Sequence, residues 1–165
     1  MQERWIMEFN HLNTSQWKEL LHDPITGNRS GAFYVSEGFG VFSGDMQEMD
    51  ENGYCSIRSE VSGLDFKEAK GLILDLVGDG QSYFIDLRML LPLGPFGFYT
   101  AFYTLPGIRQ KIYLPFSEFE PSYLGETLAA SPPLNPIHIS SMGVMVLDVM
   151  DGDFELKIRS IGAYK

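Results

Sequence analysis

The chain has 165 residues, and 12 Lys and Arg against 22 Asp and Glu leave a net charge of −10 with the histidines neutral. The length suits one domain, spanning 1–165, that buries a core without staples, and 44% hydrophobic residues exclude a disordered chain. The acidic balance argues against nucleic acid and anionic lipid, which select basic patches, and the single cysteine, Cys55, excludes an internal disulfide and a multi-cysteine zinc site.

The N-terminal run MQERWIMEF carries Glu3 and Glu8 and has neither the apolar core of a signal peptide nor the arginines of a transit peptide. The longest apolar stretch, from Met89 to Phe98, is broken by Pro92 and Pro95, and a membrane span needs about 20 residues. A soluble, cytoplasmic protein is expected, one that reaches a membrane through a protein partner and without inserting. Asn13 and Thr14 stand as helix caps, Gln16 falls at capping-box spacing, and Trp17, Leu20 and Leu21 share one helical face. A short N-terminal helix is therefore predicted, ending by Pro24.

Beyond it the pattern changes to short alternating runs at 32–43, 54–61, 71–77, 82–90, 98–104, 109–116, 139–149 and 154–164. Turn-forming residues separate them, among them Asn52-Gly53, Gly78-Asp79-Gly80, Pro106-Gly107 and Asp151-Gly152-Asp153. Eight such strands predict an all-β fold, an antiparallel β-sandwich or jelly roll. The long stretch 118–136 separates two of the strands, and its proline-rich part, 131–136, reads as an ordered crossover loop.

Period-two alternation assigns each side chain to a face. Leu72, Leu74 and Leu76, Tyr83, Ile85 and Leu87, Gln110, Ile112 and Leu114, and Phe154, Leu156 and Ile158 form the expected core. The opposite parity carries Asp75, then Phe84, Asp86 and Arg88, then Tyr99 and Tyr103, then Arg109, Lys111 and Tyr113. If their strands are neighbours, these residues make one surface of aromatics interleaved with charges. Such a surface suits partner or ligand binding, since rings supply area and charges set orientation. The plainer reading is a solvated sheet face with cross-strand pairs.

Catalytic signatures are sparse. His11, His22 and His138 show no zinc-protease spacing, and no G-x-S-x-G run occurs. Cys55 sits in the alternating run Tyr54-Cys55-Ser56-Ile57-Arg58 and reads as a buried thiol. Gly78-Asp79-Gly80 lacks the lysine and helix of a phosphate loop and reads as a tight turn between two strands. Asp148, Asp151 and Asp153 offer oxygens for calcium, although a hairpin at Gly152 is the simpler account. No cofactor, metal site or catalytic residue is expected.

Taken in order, several runs resemble one family, the complex I intermediate-associated protein 30 family. They are Tyr54-Cys55-Ser56-Ile57-Arg58, Gly78-Asp79-Gly80-Gln81-Ser82-Tyr83, the stretch from Arg109 to Pro121 with its Leu114-Pro115-Phe116-Ser117 centre, Ile139-Ser140-Ser141-Met142-Gly143, and Gly152 to Ile158. The resemblance covers about 9–164 and implies a galactose-binding-domain-like jelly roll. The family's N-terminal loop motif, N-D-x-V-M-G-G-x-S, keeps Asp23, Gly27 and Ser30, with Thr26 in place of the methionine and Asn28 in place of the second glycine. The family's tryptophan before Gln110 is here Arg109. Arg58 matches a family position and reads first as an ion-pair residue and second as a ligand contact.

The resemblance implies a non-catalytic protein-binding module, an assembly factor or accessory subunit of a membrane-associated electron-transport complex, respiratory or photosynthetic, with protein subunits as partners. The alternative is a carbohydrate-binding module in which Tyr99, Tyr103, Tyr113, Asp86 and Arg88 hold a sugar, rings against its C–H groups and charges on its hydroxyls.

Overall fold

The computed structural model describes residues 1–9, 17–20, 30–45, 54–61, 64–92, 94–123, 126–127, 131–147 and 152–165. The strands in chain order are β1 (Glu3–Glu8), β2 (Trp17–Leu20), β3 (Ser30–Ser36), β4 (Phe39–Asp45), β5 (Tyr54–Glu60), β6 (Gly71–Val77) and β7 (Ser82–Leu91). They continue with β8 (Gly94–Tyr103), β9 (Arg109–Pro115), β10 (Glu120–Tyr123), β11 (Glu126–Thr127), β12 (Ile139–Leu147) and β13 (Asp153–Tyr164). Among the described residues they form two antiparallel sheets. The first runs β3-β4-β13-β6-β9, with β1 on the same edge of β13 as β4; the second runs β11-β10-β8-β7-β12-β5-β2. This is the expected antiparallel sandwich, and no helix among the described residues is long and apolar enough to cross a membrane.

Three local expectations are corrected. The predicted helix is absent where the chain is described: Trp17–Leu20 is β2, paired antiparallel with β5 from Trp17↔Ser59 to Leu20↔Ser56. Its backbone bonds to the edge of β5, and that tertiary pairing overrides a weak helical spacing. Asn13, Thr14, Gln16 and Leu21 lie outside the described residues. The single run 32–43 is a hairpin, β3 and β4, closed by Glu37 and Gly38 at φ of 53° and 81°. Two consecutive positive φ values are the signature of a type I′ turn, but Glu in the first position carries none of the usual Asn or Asp signal. The segment 118–136 holds the short edge strands β10 and β11 before the proline-rich crossover begins. The strand β1 went unpredicted because Arg4-Trp5-Ile6-Met7 does not alternate.

The expected core positions on β6, β7 and β13 pack between the sheets, with Leu72, Leu74, Leu76, Tyr83, Ile85, Leu87, Phe154, Leu156 and Ile158 all buried. On β9 only Leu114 is fully buried, Ile112 packs partly against the core, and Gln110 is half-exposed with its carbonyl on the Leu105 amide. Aromatic rings pack within and between the layers: Phe42 meets Phe154 edge-on at 4.9 Å in the first sheet, Tyr83 stacks on Phe102 at 5.8 Å in the second, and Tyr83 meets Phe154 edge-on across the layers at 6.5 Å. Strand β13 changes phase partway. Its register shifts between Ile158 and Ser160, so inward positions pass from Phe154, Leu156 and Ile158 to Ile161 and Ala163. A bulge of this kind sends the next residue to the other face.

The Gly78-Asp79-Gly80 run is not a hairpin turn, because β6 and β7 lie in different sheets. It is a crossing between layers, organised by the Asp79 carboxylate. That carboxylate accepts hydrogen bonds from the Gln81 amide (3.1 Å), Gln81 Nε2 (2.8 Å), the buried Tyr83 hydroxyl (3.0 Å) and the Glu155 amide of β13 (2.8 Å). Gly78 has no room for a Cβ, which would overlap the Thr104 side chain, and Gly80 sits at φ 92° while its amide donates to Thr104 Oγ1.

Asp79→Ala strips the acceptor from a buried phenol. It is expected to cost about 2–3 kcal/mol in urea denaturation, since an unmet buried donor is expensive. Burial first, and the Asp79 charge second, push the Tyr83 phenol far above its ordinary range. A raised folded-state value means that this stabilisation is complete below about pH 10 and declines as pH rises further. Ultraviolet titration should find Tyr83 protonated until the chain unfolds.

Candidate functional site

The second sheet turns the parity opposite to Tyr83, Ile85 and Leu87 outward. Strand register aligns Arg58 on β5, Gly143 on β12, Asp86 on β7, Tyr99 on β8 and Glu120 on β10 in one row across that outer face. Arg58 reaches over Gly143 to an ion pair with Asp86 and donates to Ser141 Oγ at 2.8 Å. A Cβ on residue 143 would stand 2.7 Å from Arg58 Nη2, so glycine is what lets the guanidinium cross. At the far end of the row the Tyr99 hydroxyl donates to Glu120 Oε2 at 3.1 Å. Phe84, one step along β7, tilts toward Tyr99 with ring centroids 6.0 Å apart, and Arg88 Nε lies 3.9 Å from Asp86 Oδ1.

The pair at the centre is mostly buried although it faces outward: the Arg58 and Asp86 side chains are 13% and 14% exposed. Arg58 Nε is buried and has no hydrogen-bond partner among the described residues. Arg88, by contrast, is half exposed, and Tyr103 at the end of β8 is 71% exposed.

Of the nine residues expected to share one face, Phe84, Asp86, Arg88, Tyr99 and Tyr103 do so here, while Asp75 lies on β6 of the first sheet. Arg109, Lys111 and Tyr113 lie on β9 of the first sheet, whose outer face points the other way. There they serve a second cluster. Arg109 forms a two-point pair with the buried Asp75, at 2.8 and 2.6 Å, and these bonds raise the guanidinium's pKa. It thus fills an ion-pair position where the resemblance leads one to expect a tryptophan. Lys111 lies 5.4 Å over the Trp5 ring and 3.1 Å from Glu3, which also accepts the Tyr113 hydroxyl. Trp5 crosses Gly162, whose Cβ would stand 3.0 Å from both Trp5 and the buried Ile73. The Tyr113 hydrogen bond, then Lys111, pull Glu3 below the ordinary carboxylate range, and Glu3 in turn raises the Tyr113 phenol.

Of the family-motif loop residues, Asp23 and Gly27 lie outside the described residues, and Ser30 opens β3 opposite Asp45. Gly78, Asp79 and Gly80 form the crossing already described. Cys55 is buried in the core. Asp148 and Asp151 are outside the described residues, among which no cluster of three metal-ligating side chains occurs. A shallow groove of about 360 Å³ under the proline-rich crossover is lined by Phe98, Phe116, Phe119, Pro132 and Leu134 among others and holds no titratable side chain. Sequence reasoning missed Ser141, Gly143 and Glu120, of which Gly143 and Glu120 belong to the row and Ser141 lies beside it. The outward parity of β12 marks the first two, but only the strand order makes them neighbours of Arg58.

The architecture is that of jelly-roll modules. The structure is similar to the family 11 carbohydrate-binding module of a cellulosomal cellulase of Clostridium thermocellum, with a TM-score of 0.70 at 13% identity over 98% of this chain and 94% of that one. It is also similar to the family 30 carbohydrate-binding module of a cellulosomal cellulase from the same organism, with a TM-score of 0.63 at 11% identity over 100% and 98% of the two chains. At such identities the likeness is one of fold. The profile of the complex I intermediate-associated protein 30 family matches residues 7–158, and the chain belongs to that family. The mouse protein named complex I intermediate-associated protein 30, mitochondrial, is 27% identical over 160 residues, 88% of this chain and 48% of its own length. A probable member from Caenorhabditis briggsae, also named mitochondrial, is 35% identical over 97 residues, 56% of this chain and 28% of its own. The chain thus spans about half the length of the mouse relative.

Removing one member of a mostly buried pair strands the other charge. Asp86→Ala is expected to cost about 2–3 kcal/mol in chemical denaturation, discounted for the residual exposure, and Arg58→Met in the same chain should recover most of it. On the other face, Glu3→Gln should let Tyr113 ionise at lower pH in an ultraviolet titration. Because the Glu3 value is depressed, its contribution is present above the ordinary carboxylate range and fades as pH falls through the folded value. The variant should lack that acid dependence.

Proposed function

We propose that this chain is a non-catalytic protein-binding module that serves as an assembly factor or accessory subunit of a membrane-associated electron-transport complex. It attaches at the membrane periphery through a protein subunit and binds no nucleic acid. Family membership carries the reading, since the curated relatives bear the name complex I intermediate-associated protein. The outer face of the second sheet supports it. Apart from the buried Arg58 Nε, its central polar groups are spent on one another, Arg58 on Asp86 and Ser141, Tyr99 on Glu120. That leaves a firm surface whose rings and half-exposed Arg88 offer contact area rather than a polar cleft.

A second reading, carbohydrate binding, draws on the tilted Phe84 and Tyr99 rings beside Arg88. The engagement of Asp86 and Arg58 with each other counts against it, because sugar hydroxyls need unspent donors and acceptors.

The deciding experiment is affinity recovery of the tagged chain from gently solubilised membranes of its source. Subunits of one electron-transport complex should come down at a fixed ratio. Tyr99→Ala with Arg88→Ala should lower that recovery while shifting stability by no more than about 1 kcal/mol. Background proteins alone, together with saturable binding in a glycan screen, would reverse the order of the two readings.

A further inference from the structure

The connection between β8 and β9 is an exposed apolar tip on a rigid base. Leu105-Pro106-Gly107-Ile108 is a type II turn: the Ile108 amide bonds the Leu105 carbonyl at 3.3 Å, proline holds the second position, and Gly107 takes φ 72° in the third. Leu105 and Ile108 flank it at 51% and 54% exposure, and Tyr103 precedes them. Contacts at its base hold the turn outward. Pro106 bridges Gly78, the Gly107 amide donates to the Gly78 carbonyl at 3.0 Å, and Thr104 Oγ1 both accepts from the Gly80 amide and donates to the Gln81 carbonyl. The Leu105 amide is tied to Gln110 Oε1 at 2.7 Å. The Gly78-Asp79-Gly80 motif is thus the footing of the tip, and its glycines leave room for Thr104 and Pro106.

The footing is anionic. All four donors on Asp79 are neutral, and Asp153, whose carbonyl accepts Gln81 Nε2, is exposed. Neither carboxylate pairs with a cation among the described residues, and the one adjacent guanidinium, Arg109, is committed to Asp75. In a chain of net charge −10, such surroundings repel an anionic bilayer and a second copy of the chain alike.

The geometry points to this tip as a docking anchor that inserts Leu105 and Ile108 into an apolar socket rimmed by Lys or Arg on a partner protein. The proposal rests on the protein-binding reading above and assigns it a second contact, at the end of the sandwich rather than on its sheet face. A preformed turn loses little entropy on docking, which favours a small anchor of this kind.

The test places the photo-crosslinker p-benzoylphenylalanine at position 108 and, separately, at Tyr34, an aromatic side chain of β3 in the first sheet that is 48% exposed, in chain added to gently solubilised native membranes. Position 108 should yield an adduct with a subunit of the electron-transport complex, mapped by mass spectrometry to an apolar peptide flanked by Lys or Arg, and position 34 should not. Leu105→Ser with Ile108→Ser should keep the melting temperature and lower recovery of that subunit at least tenfold. Recovery by the unaltered chain should fall as salt rises from about 50 to about 300 mM. Undiminished recovery by the double variant overturns the anchor and leaves the assembly role standing, whereas recovery of no subunit by any form overturns both. A 108 adduct with a second copy of the chain, or binding to phosphatidylcholine–phosphatidylserine vesicles lost in the double variant, replaces the proposed partner with self-association or lipid.

Discussion

The Asp79 carboxylate holds together parts of the molecule that no strand ladder connects. It lies on the crossing between β6 and β7, where the chain leaves one sheet for the other. From there it accepts from its own turn, from the buried Tyr83 in the core, and from the β13 backbone. A sandwich of two sheets depends on apolar contact between its layers, which is strong but non-directional. Directional bonds at a crossing fix how the layers sit along one another. The Tyr83 ring extends that control inward, stacking on Phe102 in its own sheet and meeting Phe154 of the other. The flanking glycines extend it outward to the β8–β9 turn.

The two outer faces use similar residues for different ends. On the second sheet the Arg58–Asp86 pair lies over Gly143 and is largely shielded, and the rings of Phe84 and Tyr99 stand beside it. On the first sheet Trp5, Tyr113 and Lys111 close over Ile73 and Gly162, so the outer surface there becomes a small additional core with a charged rim. Glycine decides both arrangements: at 143 it lets an arginine cross a strand, and at 162 it lets an indole lie on one. The surface on which the proposed binding rests is therefore narrower than the full set of outward aromatics and charges, and is drawn from the second sheet and the turn at its end.

The main strands and the inward positions of β6, β7 and the first half of β13 were legible because period-two alternation is strong wherever one face is buried. Elements that departed from it were lost. Strand β2 mimicked a helical spacing over four residues, β1 did not alternate, and the β3–β4 turn used a glutamate at positive φ. The bulge after Ile158 reversed the phase of β13 at the polar pair Arg159-Ser160, a break in the alternation that sequence reasoning missed. Of the candidate face, the parity of each residue was readable, and the company it keeps was not.

Composition and local pattern by themselves determined an acidic all-β chain, its main strands, some of the breaks between them and, through the order of its motifs, its family. Those properties depend on residues near one another in sequence. Only the tertiary structure decided which strands are neighbours, and hence that Arg58 meets Asp86 across Gly143 while Arg109, Lys111 and Tyr113 face the other way. The reason is physical: alternation states on which side of its own strand a residue lies, while sheet order is set by long-range pairing and core packing summed over the whole chain.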